Sequence, residues 1–104
     1  MTLLGGGLEK LEGALARPEH YAHYEDADLA AQAAALAQGI VEAHAFQDGN
    51  KRVASQALMA FLVTIGRTVA VPKRTRADWM IALATGAPVE QIATEIRASL
   101  VSLP

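Results

Sequence analysis

Apolar residues recur along this chain at intervals of three and four positions, the spacing that places side chains on one face of an α-helix. The first such segment carries a leucine at four positions: Leu4, Leu8, Leu11 and Leu15. The Arg17-Pro18 pair ends this segment, because the residue before a proline avoids the helical backbone conformation. The polar residues 19–25 are expected to connect the first helix to the second.

The second predicted helix runs from about Asp26 to Ala43 and is rich in alanine. Asp26 or Asp28 is suited to cap its start, because a carboxylate there accepts hydrogen bonds from unpaired backbone amides. Its apolar stripe is broad, which predicts a helix that is buried on most sides. The stripe consists of Leu29, Ala33, Leu36 and Ile40, widened by Ala30, Ala34, Ala37 and Val41.

The third predicted helix runs from Asn50 to Ile65, with Gly66 placed to end it in the left-handed conformation. After it, residues 67–72 include three β-branched side chains and are expected to form a short extended stretch that belongs to no sheet. Thr75 is expected to cap a fourth helix, with Asp78 completing a capping box. The buried side of that helix is assigned to three residues: Trp79, Ile81 and Leu83.

Gly86 is expected to end the fourth helix, and Pro88 fits the first turn of a fifth, where its missing N–H is no loss. The fifth helix has one apolar stripe: Val89, Ile92, Ile96 and Leu100. Hydrophobic residues make up 52% of the 104 residues, and only 5% are aromatic. This composition favours closely spaced helices over a β-sandwich. We therefore predict one all-α domain, residues 1–104, of about five helices.

Charge and cysteine content exclude several classes of protein. The formal net charge of −2 argues against a general nucleic-acid binder, since such proteins are usually basic. The absence of cysteine excludes disulfides and zinc–thiolate sites. No apolar run approaches the roughly 20 residues that span a bilayer, and the first residues lack the pattern of a signal peptide. These observations favour a cytoplasmic protein that binds neither membranes nor nucleic acid directly.

Candidate chemistry is concentrated in residues 44–52, His-Ala-Phe-Gln-Asp-Gly-Asn-Lys-Arg, between the second and third predicted helices. The start of a helix offers free amides and a positive dipole end to an anion. Gly49 lets the backbone approach a ligand, Asn50 is suited to cap the helix and to donate its amide, and Lys51 and Arg52 add two cations. These features together predict a site for a polyphosphate.

Asp48 and His44 add chemistry that a simple anion site would not need. A carboxylate beside phosphates suits Mg²⁺, which usually binds one or two carboxylates plus substrate phosphates. His44 is suited to act as a general base, and Phe46 is expected to anchor the loop in the core. Simpler roles stay open for single residues: His44 as a surface residue, and Asp48 or Asn50 as a helix cap.

The ordered set of residues resembles the defining motif of the Fic/Doc family. That motif has His, Phe, an acid, Gly or Ala, Asn, Gly or Lys, and Arg. The matching positions here are His44, Phe46, Asp48, Gly49, Asn50, Lys51 and Arg52. The segments Gly7–Pro18, Phe61–Gly66 and Ala84–Gly86 are also similar to the family, so the resemblance extends over nearly the whole chain. It implies a small Fic/Doc-like helical bundle.

Two positions resemble the Doc (death-on-curing) branch more than the AMP-transferring Fic branch. Lys51 stands where Fic enzymes usually have a glycine, and Ser55 stands where they usually have a second arginine. The resemblance implies a toxin that moves the γ-phosphoryl group of ATP to a protein hydroxyl. His44 would be the base and Asp48 the Mg²⁺ ligand. The residues that bind the nucleotide and stabilise charge would be Phe46, Gly49, Asn50, Lys51 and Arg52.

The same resemblance implies partners and a biological role. The expected target is a threonine of elongation factor Tu, whose phosphorylation arrests translation, and the expected regulator is a cognate antitoxin. Doc-like proteins usually carry a further helix before the glycine-rich segment near Gly5, whereas this chain begins almost there. Apolar surface exposed by its loss is expected to be covered by the antitoxin or by a second copy of the chain. Two alternatives remain: nucleotidyl transfer, as in the wider family, and an inactive interaction module.

Overall fold

The computed structural model describes residues 5–15, 28–44 and 49–104, and in these ranges it contains five helices and one small sheet. The helices are α1 (residues 7–15), α2 (Leu29–Ala43), α3 (Asn50–Thr64), α4 (Lys73–Ala84) and α5 (Val89–Ser99). The strands are β1 (Arg67–Val69) and β2 (Leu100–Ser102). The predicted all-α class is confirmed. Within the described ranges, no helix has both the length and the hydropathy needed to cross a bilayer.

Helix α2 forms the centre of the fold and contacts α3, α4 and α5. Its alanines at positions 33, 34 and 37 are fully buried, and so is Ile40. A helix surface made of methyl groups allows neighbouring backbones to come close, because there is little side chain to keep them apart. Leu58 and Leu62 of α3 and Ile96 of α5 complete this core. The prediction that α2 is buried on most sides is confirmed.

The start of α2 is fixed by Asp28, one of the two capping residues predicted. The Asp28 carboxylate accepts a 2.9 Å hydrogen bond from the Ala31 amide and a 2.6 Å bond from Arg97 Nε of α5. Arg97 Nη2 also donates to Glu90 at 3.3 Å. The Arg97 guanidinium and the Ala31 amide hold the pKa of Asp28 below its usual range. Asp26, the other predicted cap, lies outside the described residues.

A two-stranded antiparallel sheet forms where a lone extended stretch was expected. Strand β1 pairs with β2, with Thr68 opposite Val101. The Ala70 amide also donates to the Ser99 carbonyl at 2.8 Å, and the Leu103 amide donates to Gly66 at 3.0 Å. The expectation of no sheet was therefore wrong. Leu100, expected on the stripe of α5, begins β2 instead. Because the partner strand comes from the end of the chain, local periodicity gave no sign of the pairing.

Helix α1 turns small residues, not its large leucines, toward the core. Leu8 and Leu15 are 57% and 53% exposed, while the small residues Gly7 and Ala14 are buried. Leu11 is half-buried, and Leu4 lies outside the described residues. Small residues face inward here, which allows a close approach to the core.

Helix α4 begins earlier than predicted and without a capping box. Pro72, with φ −63°, is the residue before the helix, and Thr75 lies within the first turn. A proline suits this position because its fixed φ and missing N–H match a helix start. Trp79 and Leu83 are buried as predicted, whereas Ile81 is 50% exposed, contrary to prediction. In α5, the predicted apolar stripe is confirmed at three positions, because Val89, Ile92 and Ile96 are buried.

Substitution Ala37→Leu tests the close packing of α2. Ala37 is fully buried, so a larger side chain must displace its neighbours, and we expect a loss of about 1–3 kcal/mol in the free energy of unfolding. The matched control is Ala60→Leu on the exposed face of α3, which should change stability by less than about 0.5 kcal/mol. Urea denaturation measures both. Equal effects of the two variants would show that α2 is not closely packed.

Substitution of Asp28 tests the junction between α2 and α5. Asp28→Ala removes the cap and should cost about 1 kcal/mol of unfolding free energy, whereas Asp28→Asn keeps a capping oxygen and should cost less. The native pKa of Asp28 is lowered, so its charge stabilises the fold above the unfolded value of about 3.9. That contribution disappears as the pH falls through the native pKa.

Urea denaturation over a series of pH values should therefore show the difference between wild type and Asp28→Asn shrinking in acid. Asp78→Asn, at an exposed position of α4, is the control and should track wild type throughout. If the difference in unfolding free energy between wild type and Asp28→Asn stayed constant as the pH was lowered, the pair with Arg97 would not be the cause of the lowered pKa of Asp28.

Candidate functional site

The start of α3 is set by Gly49, which adopts the left-handed conformation with φ 74° and ψ 12°. Its carbonyl accepts the first backbone bond of the helix, from the Val53 amide at 2.9 Å. Asn50 was expected to cap this helix, but Gly49 holds the cap position and Asn50 is the first helical residue. The correction has a physical reason, since a positive φ favours glycine at the point where the chain turns into α3. A glycine cap leaves first-turn amides without a cap side chain, which suits an anion.

Lys51 and Arg52 lie in the first turn of α3, and both side chains are exposed. The first turn of α3 contains no acidic residue, so the positive end of the helix dipole and two cations coincide there. Both residues line a groove between α3 and α4 with a volume of about 530 Å³, called here the basic groove. Lys73 and Arg76 of α4 line the same groove.

The charge of the basic groove is opposite to that of the chain as a whole. The sequence has 9 Lys and Arg against 11 Asp and Glu. Among its described lining residues, however, the basic groove has four cations and no carboxylate. Lys73 and Arg76 were not among the predicted site residues. Their signal in the sequence was the run from Lys73 to Arg76, but only the packing of α4 on α3 shows that Lys73 and Arg76 share a groove with Lys51 and Arg52.

His44 ends α2 in the left-handed conformation, with φ 47° and ψ 44°, and is exposed. This conformation is uncommon for a residue other than glycine and costs about 1–2 kcal/mol. The residue lines a second groove, of about 550 Å³, together with Glu9 and Lys10 of α1 and Glu42 of α2. Among the described lining residues, this groove and the basic groove share none.

The structure describes five of the seven predicted site residues. Gly49, Asn50, Lys51 and Arg52 share the start of α3, while His44 lies at the end of α2, on the other side of residues 45–48. Phe46 and Asp48 lie outside the described residues, so their roles stay predictions. In the described ranges, no three His, Asp or Glu side chains form a group that would hold a metal ion.

Substitution Gly49→Ala tests the left-handed turn on which this geometry rests. Gly66 has the same φ of 74° at the end of α3, so Gly66→Ala is a matched control remote from the start of the helix. Each alanine is forced into a conformation that costs about 1 kcal/mol or more, and we expect similar losses of unfolding free energy from both. Urea denaturation gives the measurement. If Gly49→Ala were neutral while Gly66→Ala destabilised, the turn at position 49 would not be left-handed.

Comparison with known proteins identifies the group to which the chain is related. The family model described as "Fic/DOC family" matches residues 5–62, which is more than half of the 104 residues. The match includes α2, most of α3 and the whole stretch from His44 to Arg52. No curated protein matches the chain. The match over residues 5–62 and the helical architecture agree, and the chain belongs to the Fic/DOC family.

Proposed function

We propose that this protein is a Doc-type phosphotransferase, which moves the γ-phosphoryl group of ATP to a hydroxyl group of a target protein. Domains of the Fic/DOC family are typically enzymes that transfer either AMP or a phosphoryl group. The position of Lys51 favours phosphoryl transfer over AMP transfer. Its exposed side chain extends from the first turn of α3, two residues after the left-handed Gly49.

A long cation at this point affects which part of a nucleotide fits. In AMP-transferring relatives, a glycine at the equivalent position lets the inner phosphates lie against the loop. The lysine side chain would fill that space, and its ammonium group would hold a terminal phosphate at the positive end of α3. This arrangement favours attack on the γ-phosphorus, with ADP as the leaving group.

The remaining motif residues then have complementary roles. The oxygen of the target hydroxyl forms a bond to the γ-phosphorus as the bond to the ADP oxygen breaks, and His44 accepts the hydroxyl proton. Arg52, Asn50 and the Gly49 backbone would stabilise charge on the transferring group. Phosphoryl transfer relies mainly on positioning and electrostatics, so a small site of this kind is sufficient.

Magnesium fits the residues that the motif provides. One carboxylate, Asp48, together with the phosphate oxygens of the nucleotide matches the ligands that Mg²⁺ prefers. Bound there, the ion would neutralise phosphate charge. Phe46, two residues earlier, would hold this part of the chain against the core next to the nucleotide.

Target and regulator are proposed from the resemblance to Doc toxins. The target would be a threonine of elongation factor Tu, and its phosphorylation would arrest translation. A cognate antitoxin would neutralise the protein. A competing proposal is an inactive interaction module that keeps the fold and binds a partner.

Isotope labelling separates these functions. Purified protein, Mg²⁺ and elongation factor Tu are incubated with ATP labelled at either the γ- or the α-phosphate, and label on the target is counted. We expect transfer from the γ position only. His44→Ala should lower the rate by roughly 10²–10⁴-fold, because it removes the proposed base. His23→Ala, outside the motif, is the control and should keep the wild-type rate.

Each other outcome contradicts the proposal in a different way. Label from the α position would identify nucleotidyl transfer. Absence of label from both positions would favour the inactive module. Equal rates for wild type and His44→Ala would remove His44 from the chemistry.

A further inference from the structure

The small sheet leaves the outer edge of β2 (Leu100–Ser102) uncovered in the described part of the chain. We infer that β2 pairs with β2 of a second copy of this chain, so that two molecules form one four-stranded antiparallel sheet. Val101 lies on the two-fold axis of this pair. The sheet adjoins the end of α3 that is remote from the motif, so the inference does not rest on the proposed function.

The hydrogen bonds between β1 and β2 show which backbone groups of β2 are free to pair. The Ala70 amide donates to the Ser99 carbonyl at 2.8 Å. In an antiparallel pair, such hydrogen-bonded positions alternate with positions whose N–H and C=O point away from the partner strand. Leu100 and Ser102 lie one and three positions after Ser99, so their backbone groups point away from β1. Within the described ranges, no third strand lies beside them.

A second copy of β2 supplies matching groups in the matching register. When two β2 strands run antiparallel with Val101 opposite Val101, Leu100 of each copy faces Ser102 of the other. The backbone groups of these residues then form up to about four hydrogen bonds, and the bonds to β1 stay intact. This register pairs the whole of β2 with itself, whereas a different protein would need a strand of matching length and register.

The side chains around this edge are apolar and exposed. Val101 is 41% exposed and Leu103 is 38% exposed, and the end of α3 adds Val63 at 53% and Ile65 at 37%. In the inferred register, the two Val101 side chains form a non-hydrogen-bonded pair, in which opposite side chains come closest. Each Val101 also has Leu103 of the other copy as its diagonal neighbour. Association therefore removes from water apolar surface that the single chain exposes.

The charges near the edge permit self-pairing. Residues 98–104 contain no ionisable side chain, although strand edges that must stay unpaired are usually protected by lysine or other charges. The nearest charged residue in the sheet is Arg67, which lies opposite Ser102 on β1. In the four-stranded sheet, the two Arg67 residues lie on the outer strands, at least about 14 Å apart. This separation exceeds the Debye length of about 8 Å at physiological ionic strength, so their repulsion is screened.

The dimer is expected to be weak and to leave the motif accessible. Each strand has 3 residues, which places the interface at the small end of specific interfaces, and we expect a Kd on the order of 10–100 μM. Helix α3 has 15 residues and is about 22 Å long, and the sheet follows its last turn. The start of α3 at Gly49 therefore lies far from the two-fold axis in both copies.

Analytical ultracentrifugation of the full chain, over about a hundredfold range of concentration around this Kd, tests the pairing. Two variants, Val101→Lys and Val101→Glu, each place like charges directly opposite one another on the axis, which destabilises a strand pair. The control is Leu8→Lys, which changes an apolar side chain that is 57% exposed but lies on α1. Circular dichroism verifies that all the variants are equally helical.

We expect wild type and Leu8→Lys to pass alike from monomer mass to dimer mass as the concentration rises. Each Val101 variant alone should associate about tenfold more weakly or worse. An equimolar mixture of the two variants should dimerise about as well as wild type, because a lysine then faces a glutamate across the axis.

A second pair of variants tests the backbone bonds. Ser102→Pro removes an N–H that points away from β1, so it should weaken the dimer about tenfold while the pairing of β1 with β2 persists. Ser102→Ala keeps the N–H and should dimerise like wild type. In wild type, hydrogen exchange of the Ser102 amide should slow as the protein concentration rises.

The inference is overturned if wild type stays monomeric at every concentration, or if mixing the two Val101 variants restores no association. It is also overturned if Leu8→Lys abolishes association, which would place the contact on α1, or if Ser102→Pro dimerises as well as wild type. Transfer of γ-label does not enter these measurements. Failure of the dimer therefore leaves the proposed function standing, and failure of the proposed function leaves the dimer standing.

Discussion

Close packing of the alanine-rich helix α2 against α3, α4 and α5 is the constraint on which the rest of the structure depends. The neighbouring helices pack directly on the alanine methyl groups of α2. Because protein interiors are packed as densely as organic crystals, α2 has little freedom to shift. The direction of α2 therefore determines the position of His44 at its end and the region in which α3 begins. The pair between Asp28 and Arg97 fixes the other end of α2 against α5.

The position of α3 in turn places charge on the surface. Gly49 turns the chain so that the first residues of α3 carry Lys51 and Arg52 outward, while Leu58 and Leu62 of the same helix lie in the core. Since α4 packs beside α3, its own cations complete the basic groove. The concentration of positive charge is therefore a consequence of helix packing, and it occurs in a protein with a slight excess of acidic residues.

The sequence predicted those features that depend on neighbours along the chain. The end of α2 at Ala43, a cap at Asp28 and the turn at Gly66 all follow from short-range spacing and residue type, whereas the helix begins at Leu29, three residues later than predicted. Features that depend on distant partners were missed. Strand β1 finds its partner at the far end of the chain. For the same reason the motif around Lys51 was found from sequence, whereas the contribution of Arg76 needed the packing of α4.

We propose that Lys51 directs the transfer to the terminal phosphate of ATP. The most direct measurement is the intact mass of elongation factor Tu after incubation with wild type or Lys51→Gly and Mg²⁺–ATP. The account predicts that wild type adds the mass of one phosphate, and that Lys51→Gly loses this product and gains the mass of AMP. Addition of AMP by the wild-type protein, or phosphate addition that survives unchanged in Lys51→Gly, would contradict it.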